Sequence, residues 1–358
     1  MTEADDASDG SDRPALMPFE ALRSPPGTRN IMLTLAYDGT AYSGWQVQPA
    51  RPSVQLCVEN AIEKLTGERR RVYCAGRTDA GVHALGQVAN FFTLSPIPVK
   101  NLRAALQTAL PEDVTLISVA EVSMGFHATF SAIRKRYRYV IHDAGICPPF
   151  LKRYCAPCRF RLQTDRMHEA AQYLLGRHDF RCFEKEFPNK ETSVRHIMEA
   201  TVCRTSGWGL WDSSHQWSGT SSGAVRKDAS AADIGLAAAE SAARGFSSPW
   251  SSDGNPADTM QPFVVFEVMA DGFLYNMVRA IVGTLIDIGR GKRPVDYLKY
   301  VIESMDRSAA GMTAVPQGLY MVQVEYPDHL MRPDTKGVAD SGDGESMSDE
   351  TRPDGGDQ

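Results

Sequence analysis

No apolar run in the sequence approaches the roughly 18 residues that a membrane span requires. Neither a Walker phosphate loop nor a dinucleotide-binding glycine fingerprint is present, so no segment asks for a nucleotide cofactor. Cysteine is sparse. Seven residues, odd in number and scattered, do not make a disulfide framework and suit a reducing cytoplasm. The opening stretch MTEADDASDGSD is acidic and polar, so no signal peptide is expected there. What remains is an ordinary globular composition, 42% apolar and 23% charged. At 358 residues the chain can hold two compact domains, or one large sheet with helices.

A positive net charge is lacking as well, which at first argues against a nucleic-acid partner. The distribution reverses that reading. Residues 1–28 carry six acids against two bases, and residues 331–358 carry eight against three. Those ends therefore account for −9, and the core between them is +3 although the whole chain is −6. The basic residues of the core cluster at Arg69-Arg70-Arg71, Arg134-Lys135-Arg136 with Arg138, Lys152-Arg153, and Arg290, Lys292 and Arg293. Any one cluster alone is an ordinary solvated face; together they suit a phosphate backbone.

In chain order, residues 1–28 and 329–358 read as disordered acidic tails. Residues 29–125 form a first α/β half. Ile31, Leu33, Leu35 and Tyr37 alternate as a strand, which runs into an Asp38-Gly39-Thr40 turn. Ser53 caps a helix that Gly67 ends. Strands follow over 70–74 and 86–93, then a helix over 99–110 and a strand over 114–120. This βαββαβ order predicts a ferredoxin-like antiparallel sheet with helices on one face. Residues 126–328 repeat the theme. Strands are expected over 131–142, 194–204, 263–270 and 319–326. Helices are expected after a Thr164 cap, over 274–288, and from Pro294 to about Ser304. The fold class is thus α+β: two ferredoxin- or RRM-like halves in one continuous, mostly antiparallel sheet, with a cleft between them. Residues 205–260 break the pattern. Of these 56 residues 29 are Ser, Gly or Ala, yet four of the five tryptophans are there, so the stretch reads as an insertion with a short alanine-rich helix over 230–244.

Three motifs compete for the chemistry. Gly219-Thr220-Ser221-Ser222-Gly223 matches a hydrolase elbow, but no strand precedes it and no helix follows directly, so it reads as a chance match. Cys155-Ala156-Pro157-Cys158 has no second pair at zinc-site spacing and reads as ordinary thiols, with no metal expected. The stretch Gly76-Arg77-Thr78-Asp79-Ala80-Gly81 joins two strands and holds a carboxylate and a guanidinium between two glycines. Alone it is either a glycine turn with a surface ion pair or a scaffold-held catalytic loop.

The wider context favours the catalytic loop. YDGTAYSGWQVQ (37–48), AGRTDAGVHALGQVANF (75–91), FHATFSA (126–132), KRYRYVI (135–141), GRHDF (176–180), FLYNMVRAIVGTL (273–285) and GLYMVQVEYP (318–327) together resemble the tRNA pseudouridine synthase A family. The resemblance covers roughly residues 29–204 and 261–328. It implies a cofactor-free isomerase that turns uridine into pseudouridine in the anticodon stem-loop, at tRNA nucleotides 38, 39 and 40. It further implies a cytoplasmic homodimer whose shared basic cleft holds one tRNA arm. By resemblance Asp79 is the essential carboxylate, the nucleophile or a base, and Tyr137 lies against the target base. Arg279 pairs with the aspartate, and Arg77 helps displace the base from its stack. Two departures stand out: Tyr275-Asn276 precedes Met277-Val278-Arg279, and the proline of Ala314-Val315-Pro316-Gln317-Gly318-Leu319 is shifted by one. The alternative is a non-catalytic RNA-binding protein that retains the fold.

Overall fold

A computed structural model describes residues 24–184, 192–206, 211 and 261–334. The hydrolase-like Gly219–Gly223 match, the alanine-rich helix over 230–244 and most of both tails and of the 205–260 insertion lie outside the described residues.

Alternation in the first half gives strand β1 (Arg29–Tyr37), whose Ile31, Leu33, Leu35 and Tyr37 enter the main core. Helix α1 (Val54–Thr66) starts at Ser53, whose hydroxyl accepts from the Leu56 amide, and ends at Gly67 in the left-handed conformation. Strand β2 (Tyr73–Cys74) is only two residues long. Strand β3 (His83–Thr93) begins three residues earlier than its apolar pattern suggests. Helix α2 (Val99–Ala109) and strand β4 (Val114–Val122) complete this half.

The second half contains β5 (Arg134–His142), the two-residue β6 (Ala156–Pro157), helix α3 (Thr164–Ala171) and β7 (Gly176–Asp179). Then follow β8 (Val194–Thr205), β9 (Phe263–Ala270), α4 (Met277–Gly289), α5 (Tyr297–Ser304) and β10 (Leu319–Glu325). Three sequence expectations are corrected here. Thr164 is the first helical residue of α3 and caps nothing, because Gln163 occupies the cap position without a side-chain bond. Helix α4 starts at Met277, since Asn276 sits in the left-handed region and breaks the helical path before it. Helix α5 starts at Tyr297, because Pro294 heads a separate turn whose carbonyl accepts from the Tyr297 amide.

All ten strands join one sheet in the order β4-β1-β3-β10-β5-β9-β8-β7, with β2 on β3 and β6 on β5. Pairing is antiparallel except for β10 with β3 and β5 with β6. The last strand is therefore the seam between the halves. It runs antiparallel to β5 along its length but meets β3 only at Tyr320 opposite His83 and Met321 opposite Ala84. The far end of the same β3 edge is taken by β2, at Ala89 and Asn90. The loop from β2 to β3 thus has to emerge beside the seam. The helices cover one face, where Ile62, Leu106, Met167, Ile281 and Leu285 pack with Phe91, Tyr139 and Phe266.

Strand β9 is buried at every residue, as a near-continuous apolar run at the centre of a sheet should be. Its exception is Glu267. It faces Arg138 across the β5–β9 ladder and contacts it at 2.7 Å, with side-chain exposures of 1% and 0%. A charge pair this deep stabilises only as a pair. Glu267→Ala is expected to lower unfolding free energy by about 3–5 kcal/mol in urea titrations, by leaving a guanidinium uncompensated. The combined Arg138→Met and Glu267→Leu variant is expected to recover most of that loss.

Candidate active site

The 75–82 loop is fixed from three sides. Its start continues from β2, where the Ala75 amide donates to the Val88 carbonyl (2.7 Å) and Gln87 Nε2 donates to the Gly76 carbonyl (2.7 Å). From the second half, Lys135 Nζ donates to the Ala75 carbonyl (2.6 Å), and Thr129 Oγ1 donates to the Cys74 carbonyl (2.6 Å). The third support is the segment after β1. Trp45 donates its amide to the Thr78 carbonyl (3.0 Å), and the Gly81 amide donates to the Tyr42 carbonyl (3.3 Å). The Tyr37 and Thr78 hydroxyls bond at 2.8 Å. This contact is close enough that glycine is required twice. A Cβ on Gly39 would overlap the Val82 carbonyl, and one on Gly44, whose φ is +97°, would overlap the Thr78 carbonyl.

Held this way, Asp79 points its Oδ2 at Arg279 Nη1, 2.9 Å away and 200 residues on in the chain. Both side chains are partly buried, at 26% and 16% exposure. Arg279 stands on the first turn of α4 and is itself held. Its Nη1 donates to Asn276 Oδ1 (2.8 Å), and its Nε donates to the Ala314 carbonyl (2.7 Å). Asn276 can do this because it adopts a φ of +61°, a conformation that asparagine tolerates better than most residues. The departure from the family pattern before Met277 therefore still supplies a group that orients the arginine. In the segment with the shifted proline, the Val315 carbonyl accepts from the Tyr139 hydroxyl (2.7 Å), and Pro316 lies against Gly81.

Tyr137 comes from β5 and projects on the helix side, into the same cleft. Its ring meets Phe273 edge-on at 5.0 Å. Its hydroxyl lies near Gly76, whose missing Cβ leaves that space open. Burial pushes this phenol well above its usual range, helped by the neighbouring Tyr37, Asp79 and Cys74. Tyr137 therefore works as a neutral hydroxyl, not as a standing phenolate. Burial likewise pushes the Cys74 thiol up to about 12, so it is inert at neutral pH. Arg77 is exposed at the cleft edge, with no ion pair or hydrogen bond to a side chain among the described residues.

These four residues line one cleft of about 620 Å³ between the halves. The cleft is ringed by Arg71, Arg77 and Lys135 and floored by Trp45, Tyr137 and Leu319. It is large enough for one nucleotide, with an acid at its wall and bases at its rim. The sequence reading brought Asp79, Tyr137, Arg77 and Arg279 forward. It did not assign roles to Trp45, Gln87 or Asn276, and it read Lys135 only as part of a basic cluster. They lie inside the stretches singled out, but nothing in their spacing says that they tie a loop to a helix. No cluster of three or more His, Cys, Asp or Glu that could hold a metal ion occurs among the described residues.

Behind the loop, His83 is buried and stacks on Tyr320 at 4.8 Å. Its Nδ1 accepts from the Gly39 amide (3.1 Å), and its Nε2 bonds the Arg153 carbonyl (2.9 Å). Asp38 Oδ1 lies 3.2 Å from Nδ1. Burial lowers the His83 pKa below its ordinary 6.5, although Asp38 pulls the other way. The unfolded chain then binds the extra proton more readily. Stability is full above about pH 6.5 and falls as pH drops through that value toward the folded pKa. Buried His142 adds in the same direction. Thermal melts at about pH 7.5 and about pH 5.5 should therefore differ, and the difference is expected to shrink, not vanish, in His83→Gln.

Comparison with known proteins shows the family of the chain. A family model described as tRNA pseudouridine synthase matches residues 34–131 and 170–327. The tRNA pseudouridine synthase A of Thermoanaerobacter sp. (strain X514) is 35% identical over 298 residues, covering 83% of this chain and 100% of the relative. The enzyme of the same name from Acetivibrio thermocellus is 38% identical over 298 residues, with the same two coverages. The tRNA pseudouridine synthase A 2 of Clostridium perfringens is 37% identical over 298 residues, again covering 83% and 100%.

Proposed function

The chain belongs to the tRNA pseudouridine synthase family, and we propose that its four cleft residues divide the isomerisation of an anticodon-arm uridine between them. The enzyme is an isomerase acting on tRNA. The narrower reading, tRNA nucleotides 38 to 40, rests on the family resemblance of the loop and strand motifs. Residues 29–125 and 126–328 are read as two halves of one catalytic unit, with 205–260 inserted in the second.

The observation behind the assignment is the Asp79–Arg279 contact at 2.9 Å, made across the halves and facing Tyr137. In the reaction the N1–C1′ bond breaks and a C5–C1′ bond forms. C5 loses one proton and N1 gains one, so atoms and electrons balance within one nucleotide. A carboxylate facing the ribose serves either route to this rearrangement, as a nucleophile at C1′ or as a base on the sugar. Arg279 holds that carboxylate in place through a charge-assisted bond while its own Nε is tied to Ala314. The target base must leave its stack, at a cost of a few kcal/mol. Tyr137 offers a ring against which the extruded uracil rests, and a neutral hydroxyl near its reacting edge. Exposed Arg77 is suited to fill the gap the base leaves, or to hold the adjoining phosphate.

The same reading takes the active species as a cytoplasmic homodimer; mass in solution tests the dimer. None of the described helices is long and apolar enough to cross a membrane.

Two variants test the division of labour on a tRNA transcript scored for pseudouridine. Asp79→Asn is expected to fold and to bind tRNA, yet to form no pseudouridine, because an amide serves neither route. More than a few percent residual activity would overturn the role given to Asp79. Tyr137→Phe is expected to slow turnover while leaving tRNA affinity nearly unchanged. A tenfold loss of affinity would instead give the hydroxyl a binding role.

A further inference from the structure

Among the aromatic side chains that line the cleft, Phe130 is the most exposed. Phe130 is 83% exposed, although it lines the same cleft as Asp79. Its neighbours in the 126–132 segment behave differently. Phe126 and Ala128 are fully buried, and His127 nearly so. The backbone that presents Phe130 is also firmly tied. The amides of Thr129 and Phe130 both donate to His127 Nδ1, at 3.1 and 3.4 Å. The Ser131 amide donates to the His127 carbonyl (2.9 Å), and Ser131 Oγ accepts from the His127 amide (3.0 Å). Thr129 Oγ1 adds the bond to Cys74 at the root of the catalytic loop.

The ring is not isolated. It lies 4.5 Å from the His127 ring at 33°, and His127 lies 4.9 Å from Tyr73 at 47°. Three rings thus follow one another along one wall of the cleft, and Phe130 at the end of the series is largely open to solvent. Arg71, Arg77 and Lys135 line the same cleft. An open aromatic ring on a tied backbone, beside cationic groups, has the chemistry of a single-stranded nucleic-acid platform, in which a base stacks while its phosphates meet the cations.

We propose that Phe130 is the stacking platform for an unpaired nucleobase that neighbours the target uridine. It thereby positions the RNA while Asp79 and Tyr137 engage the extruded nucleotide. The inference rests on the synthase reading for its substrate, but its own evidence is the exposure of this ring, the tied backbone that carries it and its surroundings.

The test is affinity for an anticodon-arm RNA hairpin, measured separately from turnover. Phe130→Ala is expected to weaken binding about 5- to 100-fold. Its melting temperature should not move, since the side chain has little to lose in packing. Phe130→Trp should bind at least as well as the natural chain. Phe130→Leu, apolar but without a flat ring, should resemble Phe130→Ala. Hairpins with single abasic nucleotides around the target identify the partner base. At one position the abasic change and Phe130→Ala together should cost no more than either alone. Unchanged affinity in Phe130→Ala, full binding by Phe130→Leu, or additive losses at every abasic position would each overturn the proposal. So would a change in mass in solution on Phe130→Ala, which would mean that the ring packs on a second copy of the chain. A natural chain that binds through Phe130 but makes no pseudouridine would count against the synthase reading alone.

Discussion

An ion pair whose partners stand 200 residues apart sets the terms for the rest of this molecule. Asp79 belongs to a loop of the first half, and Arg279 to the first turn of a helix in the second. For them to meet at 2.9 Å the two halves must hold a fixed relation. The sheet provides it, through a strand that belongs by sequence to the second half and is wedged between β3 and β5. The loop is then braced by groups from both halves, Gln87 and Trp45 on one side and Lys135 and Thr129 on the other. Charge is placed sparingly within this frame. The acid is partly open to the cleft, while the phenol next to it is buried and kept neutral.

Supports of this kind also explain why the surrounding residues are small or oddly shaped. Gly39 and Gly44 exist as glycines because loop backbone occupies the space of their side chains. Asn276 takes a left-handed conformation to end the approach to α4 and to give Arg279 an acceptor. The buried Arg138–Glu267 pair is next to Tyr137 in the β5–β9 ladder, and it ties β5, on which Tyr137 stands, to β9. Stability and site geometry are therefore not separable in this part of the sheet.

Much of this was legible before any coordinates. The alternation of Ile31, Leu33, Leu35 and Tyr37 is a local signal and gave β1. The apolar run at 263–270 likewise gave β9. Ser53 and Gly67 marked both ends of α1, because capping depends only on neighbouring residues. Local signals fail where distant parts decide. Strand β2 has two residues because the Val72 amide and carbonyl bond to the side chains of Glu59 and Gln55 on α1, and no pattern within Tyr73-Cys74 encodes that. Thr164 looked like a cap by residue type, but the chain enters α3 one residue earlier. For the site, spacing alone left Arg77 and Asp79 as either a turn or a catalytic loop. Their association with Tyr137 and Arg279 came from family resemblance, because contacts across 200 residues leave no periodic trace. The exposure of Phe130 was invisible for the same reason: nothing in FHATFSA says which of its two phenylalanines is buried.

The position of β10 also orders events during synthesis. The first half, through β4, leaves the ribosome long before residues 319–325 exist. At about 5–20 residues per second the interval is on the order of tens of seconds. Throughout it, the edge of β3 at His83 and Ala84 lacks the partner strand that it has in the finished fold. An unpaired edge of this kind is a template for wrong pairing. Here it is short, and β2 already occupies its far end. The seam between β3 and β10 can therefore close only after residues 319–325 have been made.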